Sequence, residues 1–476
     1  MAKLAELQQQ VRELSVLVAE LREENGRLRA ENAELKRRLE AQERASKRQA
    51  APFSKGAKKT DPKRPGRKPG QGRFSRRALP REEEITHRVE VPLPAEGCPF
   101  CGGSQLVDKR VEMAYCTDLP EPPKPQVTAY RIEVCTCGDC GRSVRAPHPE
   151  VAPSQRGATA HRLGAGVFAR AHALHYGFGV PMRKVPAILK ELCGISITQS
   201  AIQQDALRRR RAEVGAAYKQ LRESVKHAAR VFTDDTGWRI NGESAYLMGF
   251  DTDAAAVYQI RRRHRNEEVR ELIPSDYPGI MHTDRAPTYD AAPLELVAQQ
   301  KCGYHILRSI DQVLADKTGP ARAFGEHLKG LLQEAIALWH AYHEGCATNF
   351  AAEAQRIQQA VTEHLKPRAL SDPDNQRLLE QLSWHHAGGN LLRFLDQPDV
   401  AEPTNNRAER RLRPAVIARK VSHCSQNDAG ADTYAAFKSV LETAHKGAQS
   451  LVAALTALFR STDKPPDWLV SACASS

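Results

Sequence analysis

The chain has 476 residues, 41% of them hydrophobic, with 70 Lys and Arg against 57 Asp and Glu, a formal net charge of +13. A single hydrophobic core stops growing near roughly 250–300 residues, so this length calls for several domains. No apolar run approaches the ~18 residues that cross a bilayer, and the charged start lacks a signal peptide's apolar core, so an integral membrane protein is excluded and a cytoplasmic location is expected. There, eleven cysteines point to metal ligands and free thiols before disulfides.

Residues 1–46 read as a coiled coil. Leu7, Leu14, Leu21, Leu28 and Leu35 fall at heptad position d, and Leu4, Val11, Val18, Asn25, Asn32 and Leu39 at position a. Asparagine at a, with attractive g-to-e′ pairs Glu24–Arg29 and Glu31–Lys36, selects a parallel dimer in one register. Residues 47–84 form a basic, flexible arm, since thirteen Lys and Arg lie between Lys47 and Arg81 against Asp61 alone. Nearly all of the net charge therefore sits in one segment rich in Pro, Gly and Ser, which points to a polyanion partner. Lys63, Arg64, Arg67 and Lys68 occupy a narrow stretch without bulky side chains that suits the minor groove of DNA.

Residues 85–150 carry two Cys-x-x-Cys-Gly knuckles, Cys98/Cys101 and Cys137/Cys140. Four thiolates on a tetrahedral centre imply structural zinc, with Cys116 or Cys135 able to replace one ligand. Residues 151–228 are helical by pattern. Val185–Leu192, a glycine turn at Gly194, and a second helix capped by Ser196 or Thr198 fit a helix-turn-helix. That arrangement would bring Gln199 and Gln203 near a DNA groove, with Arg208 to Arg211 reaching phosphates.

From residue 229 the pattern changes. Val231–Trp238 reads as a short buried strand ending in Asp234 and Asp235, followed by a turn at Asn241-Gly242 and strands over Ala245–Phe250 and Ala255–Ile260. A helix from Asn266 to Leu272 precedes a fourth strand that runs into Asp284. Three antiparallel strands, a helix and a fourth strand is the order of a ribonuclease H-like core. The third carboxylate is then expected from a later helix, and Glu409 is the candidate, with Asn405 or Thr404 as N-cap. Carboxylates converging in this way repel each other unless cations sit between them. Two Mg²⁺ ions, or Mn²⁺, would activate an attacking oxygen and stabilise a leaving one. Segment 285–408 is long for such a core, and its amphipathic helices predict a helical insertion over about 317–400.

The succession of zipper, basic arm, zinc knuckles, Asp234-Asp235-Thr236-Gly237-Trp238, Asp284 with Tyr289, Cys302-x-x-His305-x-x-Arg308, Asn405-Asn406-x-x-Glu409-Arg410 and Ala418-Arg419-Lys420 resembles the bacterial insertion-sequence transposases of the IS-sixty-six type. The resemblance implies a DDE transposase that binds an element's terminal inverted repeats, cleaves DNA with divalent metal and joins the 3′ ends to a target. On that pattern Asp234, Asp284 and Glu409 are the triad, and His305 and Arg308 assist. It further implies an assembly of at least two chains, accessory proteins of the same element, and action at the nucleoid. The family pattern has Glu where Asp235 stands, which makes Asp235 a rival to Asp234. It has Asp where Thr404 stands and Gly where Arg285 stands. The expected architecture is multidomain α+β: a coiled coil (1–46), an arm (47–84), a zinc-binding module (85–150), a helical DNA-binding domain (151–228) and a ribonuclease H-like DDE core with a helical insertion (229–476). A catalytically inactive, domesticated derivative acting as a dimeric DNA-binding regulator is the alternative.

Overall fold

The computed structural model describes residues 18, 21–29, 31–35, 78–90, 103, 113–117, 125–146, 163–315, 317–461 and 464–474. The chain divides into two compact units, Met1–Leu119 and Pro120–Ser476. In the first, the helical residues 21–29 and 31–35 form α1, which leaves Leu21, Leu28 and Leu35 exposed at seven-residue spacing. Leu4, Leu7, Val11, Leu14 and Leu39 of the heptad pattern lie outside the described residues. So do Lys63, Arg64, Arg67 and Lys68 of the arm, and Cys98 and Cys101 of the first knuckle.

The described part of the second unit opens on a hairpin of β1 (Val134–Thr136) and β2 (Ser143–Arg145), paired antiparallel. Cys137 and Cys140 sit in its turn, closed by a bond from Gly141 N to Cys137 O of 2.9 Å. Gly141, at φ 69°, takes the left-handed conformation that favours glycine. The backbone N–H groups of Cys140 and Asp139 face the Cys137 thiol and lower its pKa, favouring the thiolate that binds metal.

A helical layer follows. α2 (Ala165–His172) passes through a π turn over Ala173–Gly177. α3 (Val185–Cys193) stops at Gly194, whose φ of 63° ends the helix. α4 (Gln199–Arg211) is capped by Thr198, whose hydroxyl accepts from Ala201 N at 3.2 Å, and α5 (Glu213–Val225) runs on from it. Ala171, Val185, Leu189 and Ile202 form the small core of this helix-turn-helix. Gln199 is half-buried and Gln203 exposed on the first turns of α4. Of Arg208 to Arg211, expected to reach phosphates, three make contacts within the fold. Arg208 and Arg209 both pair with Asp205, at 2.8 and 2.7 Å, and Arg209 lies buried under the Phe459 ring. Arg210 bonds to Asp432 O at 3.3 Å. Arg209 and Arg210 are thus engaged by the fold, while Arg208 and Arg211 remain exposed.

The same network carries a pH dependence. His172 is fully buried, with Nε2 2.8 Å from Asp205 Oδ2. Burial pushes His172 below its ordinary 6.5. For Asp205, burial pushes upward, but the His172 hydrogen bond and the Arg209 and Arg208 charges outweigh it and the net shift is down. Both folded values lie below the unfolded ones, so the unfolded chain binds protons first and stability falls on acidification. The loss begins as pH drops through about 6.5 for His172, and the Asp205 contribution follows from about 3.8 downward. Thermal unfolding between pH 7.5 and 5 should show a falling midpoint whose slope is reduced in His172→Asn. Equal slopes would mean that other groups set the acid sensitivity.

The sheet is the centre of the second unit. Its strands are β3 (Arg230–Ile240), β4 (Glu243–Asp251), β5 (Ala256–Arg261), β6 (Ile280–Thr283) and β7 (Gln299–Lys301), with α6 (Asn266–Arg270) between β5 and β6. They lie in the order β5-β4-β3-β6-β7; β3, β4 and β5 are antiparallel neighbours, and β6 and β7 run parallel to β3. This mixed sheet is compatible with a ribonuclease H-like core. Asn241 and Gly242, at φ 53° and 80°, supply the two positive angles of a tight hairpin turn. β3 does not end at the carboxylates as expected. It continues to Ile240, because Trp238 and Ile240 are core residues and the pairing with β4 persists to the turn.

Beyond β7 come α7 (Gly303–Leu314), α8 (Gly319–His343), α9 (Phe350–His364), α10 (Pro373–Ala387) and the short α11 (Arg393–Asp396), whose apolar faces share a second core with Ile280. The chain then returns to the sheet through α12 (Asn406–Ser422) and α13 (Asp428–Lys446), and ends in α14 (Leu451–Arg460) and α15 (Asp467–Ala474). α13 lies along the outer edge of β5, where Ser439 and Thr443 hydroxyls accept from Tyr258 N and Ala256 N at 2.8 and 3.0 Å. Side chains thus occupy edge amides that would otherwise recruit another strand. Among the described residues, no helix is long and apolar enough to cross a membrane.

Candidate active site

Asp234 lies in the middle of β3, directly opposite Gly249 of β4. Directly opposed residues of an antiparallel pair share a face. A Cβ at Gly249 would stand 3.1 Å from the Leu412 side chain of α12, and Tyr258, paired with Gly249, donates its hydroxyl to Arg411 O. Asp234 therefore faces α12, the helix that carries Glu409. Asp235 is opposite Met248 on the other face, where its Oδ1 is 3.3 Å from Nδ1 of His264. The alternation of the strand separates the two neighbours by partner.

Asp284 follows the last residue of β6. The parallel register pairs Phe232 with His282, and two further residues along both strands bring Asp284 beside Asp234. Its Oδ1 accepts from Ala286 N at 2.9 Å, fixing the carboxylate at the strand end. Arg285 reaches away from the site, donating to Ser309 Oγ of α7 at 2.5 Å and thereby tying this loop to the inserted helices.

Glu409 stands in the first turn of α12 with its carboxylate exposed. The arginines around it on the helix leave it free. Arg407 pairs with Asp251, Asp253 and Glu402, and Arg411 with Asp251 and Glu442. The partner of Glu409 is His305 of α7, with Nε2 3.5 Å from Oε1. Arg308 is exposed one turn further along α7. The start of α12 is held in place by Asn405, but not as the expected cap. Asn405 is buried, and its Nδ2 donates to Thr233 O of β3 at 2.7 Å, while its backbone N donates to Cys302 Sγ at 3.2 Å. Gly303 N donates to Pro403 O at 2.8 Å, and a side chain at Gly303 would collide with that carbonyl. β3, α7 and α12 are thus locked together within a few residues of Asp234, His305 and Glu409.

Electrostatics ties the acids to one another. Burial pushes Asp234 up to about 7, and the Asp235, Asp284 and Glu409 charges add to the rise. Asp235 is also raised by burial and by Asp284, against the pull of His264. On β7, paired with Thr283, lies Lys301, fully buried, with Nζ 2.6 Å from Asp290 Oδ1, 2.8 Å from Gln299 Oε1 and 3.1 Å from Thr283 Oγ1. Sequence reading passed over Lys301, Asp290 and His264, since none belongs to a motif with its own spacing. Their signal is charge inside an otherwise apolar sheet.

The donor set of Asp234, Asp284 and Glu409 is hard oxygen, which suits Mg²⁺ or Mn²⁺, and a buried acid raised by neighbouring carboxylates is the environment a cation relieves. Among the described residues, no group of three or more His, Cys, Asp or Glu side chains is already close enough to hold a metal ion. The Asp284 and Glu409 charges reach Asp234, but the three acids do not form a closed cage. Comparison with known proteins adds two findings. No curated protein sequence matches the chain. The sequence model of one family, described as Transposase IS66 family, matches residues 161–433.

Proposed function

This chain belongs to the transposase IS66 family, and from that premise we propose that it binds the terminal inverted repeats of an insertion sequence, cleaves DNA there and joins the freed 3′ ends to a target by a DDE mechanism. The observation that carries the reading is the joint placement of Asp234, Asp284 and Glu409. Asp234 lies on one of two adjacent parallel strands and Asp284 directly after the other, Glu409 belongs to the first turn of α12, and the Asp284 and Glu409 charges act on Asp234. In this reading Asp284 is oriented by Ala286 N, Glu409 by His305, and the site as a whole by Asn405 and Arg285. Arg308, exposed on α7, is placed to meet a phosphate. Divalent cations, when bound, supply charge neutralisation for the three acids, activation of the attacking oxygen and stabilisation of the leaving oxygen.

The remaining segments follow the same reading. Residues 1–46 pair two chains through the leucine stripe of α1, and the arm at 47–84 supplies salt-sensitive affinity for phosphates. The module at 85–150 binds zinc through thiolates that include Cys137 and Cys140, which metal analysis of the purified protein checks. Residues 151–228 contact DNA through α4, with Gln199 and Gln203 nearest a groove, and residues 229–476 carry the chemistry. Such a protein works at DNA in the cytoplasm, with accessory proteins of its element.

The deciding experiment incubates the protein with DNA carrying the element's ends, with and without Mg²⁺, beside Asp284→Ala. Wild type should nick and join only with metal, and Asp284→Ala should bind the same ends without cleaving them. Binding without metal-dependent cleavage by wild type would instead identify a DNA-binding regulator.

A further inference from the structure

Phe178 is the most conspicuous apolar side chain on the surface of the helical layer, 66% exposed, and its turn is rigid. The π turn ends in Gly177-Phe178-Gly179. Phe178 N donates to Ala173 O at 2.9 Å, Gly179 N to His175 O at 3.2 Å, Val180 N to Leu174 O at 2.9 Å, and the His175 ring closes on Val180 O at 2.8 Å. A Cβ at Gly177 would stand 2.9 Å from Leu451, and Gly179 needs its φ of 74°. Two glycines and four bonds therefore present an aromatic ring to solvent at a π bulge, a feature often found at functional sites. A ring carried on a backbone bonded this firmly is preorganised in position for a planar ligand.

What lies opposite the ring is cationic. Phe178 lines a cavity of about 250 Å³ with Arg410, Arg413, Pro414 and Ile417 of α12. Arg407 and Arg411 of the same helix are spent on acids, and Arg419 on the Gly237 carbonyl and Thr236. Among the described residues, Arg410 and Arg413 make no ion pair or hydrogen bond and stand exposed. Arg410 is the residue after Glu409, and Arg413 lies three residues beyond Arg410, ~4.5 Å along the helix axis. That is between one and two base steps of DNA, at ~3.4 Å per step on one strand.

We propose that Phe178, Arg410 and Arg413 form a stacking seat for an unpaired base of the element-end strand, one or two nucleotides from the phosphate cleaved at Glu409. The ring of Phe178 takes the face of the base, and the two guanidinium groups take the flanking phosphates. Cations with no acid to pair complement a polyanion, aromatic stacking accepts any base, and the cavity is sized for one planar ring rather than for an element of protein. The inference rests on the transposase reading and adds to it how a DNA end is held open beside the acids.

The test measures equilibrium binding by fluorescence anisotropy, without added Mg²⁺ so that no cleavage occurs. The probes are the element's ends either fully paired or with two unpaired nucleotides at the cleavage position, and an unrelated duplex as a target stand-in. 2-Aminopurine at the unpaired position reports stacking. Wild type should favour the unpaired end and quench the 2-aminopurine. Phe178→Ala should lose roughly 5- to 100-fold in affinity for that end, lose the quench and leave the paired end almost unchanged, while Phe178→Trp restores both. Arg413→Ala should weaken all probes and reduce the salt slope by about one. The proposal is overturned if Phe178→Ala binds the unpaired end as wild type does, weakens paired and unpaired ends equally, or affects only the unrelated duplex. Wild type that fails to distinguish the element's ends from the unrelated duplex overturns the transposase reading itself. Phe178 is solvent-facing, so circular dichroism of the variant should match wild type.

Discussion

Asp234→Asn should reduce metal-dependent cleavage of element ends by at least ~10³-fold, the scale expected when an acid that binds the reacting charge is neutralised, while leaving the affinity for those ends within a few-fold of wild type. The substitution keeps shape and removes charge at an acid that senses the charges of both Asp284 and Glu409. Asp235→Asn is the matched control. Asp235 lies on the opposite face of β3 with His264, so its loss should cost no more than about tenfold, as a change in the support of the site. Quantifying nicked product against time for both variants decides the matter. If Asp235→Asn is the dead enzyme and Asp234→Asn the impaired one, the assignment of the first acid is reversed.

The second large effect is on stability. Asp251 ends β4, with its side chain 4% exposed, and three cations converge on it: Lys446 at 2.7 Å, Arg407 at 3.3 Å and Arg411 at 3.3 Å. Asp251→Ala removes the shared acid and leaves those cations half-buried. Breaking a buried pair in this way costs about 3–5 kcal/mol. Urea unfolding should show the midpoint falling at nearly constant m. Because Arg407 and Arg411 flank Glu409 on α12, the variant should also lose cleavage at temperatures where it remains folded. A change below about 1 kcal/mol would show that Asp253, Glu402 and Glu442 hold these cations without Asp251.

The two predictions draw on parts of the molecule that differ in how openly the sequence displays them. Asp234, Asp284 and Glu409 are visible because an apolar run ending in an acid, and an acid in the first turn of a helix, are local patterns. The Asn241-Gly242 turn is equally visible, since few residue pairs accept two positive φ angles. β7 is not. Its residues Gln299, Gln300 and Lys301 are polar, yet all three are buried, with the Gln299 and Gln300 amides donating to the carbonyls of Tyr289 and Leu391 and Lys301 meeting Asp290. A strand stabilised by partners distant in sequence has no hydrophobic period to read. Asn405 misled for a related reason. Asparagine before a helix is ordinarily a cap, but here the opposed β3 carbonyl of Thr233 competes for the side chain and takes it. The separation of Asp234 from Asp235 required the register with Gly249, which only the folded sheet supplies.

The covering of β5 by α13 has a temporal side. The hydroxyls that occupy the strand's edge are supplied 181 and 187 residues later in the chain. At ~5–20 residues per second, a ribosome needs roughly ten to forty seconds to make the intervening segment. Throughout that interval the nascent sheet presents an unpaired edge, and neighbouring ribosomes on one message hold identical edges close together. Translation that stalls or terminates before Ser439 leaves the edge open permanently, so fragments of this protein are more prone to aggregate than the finished chain.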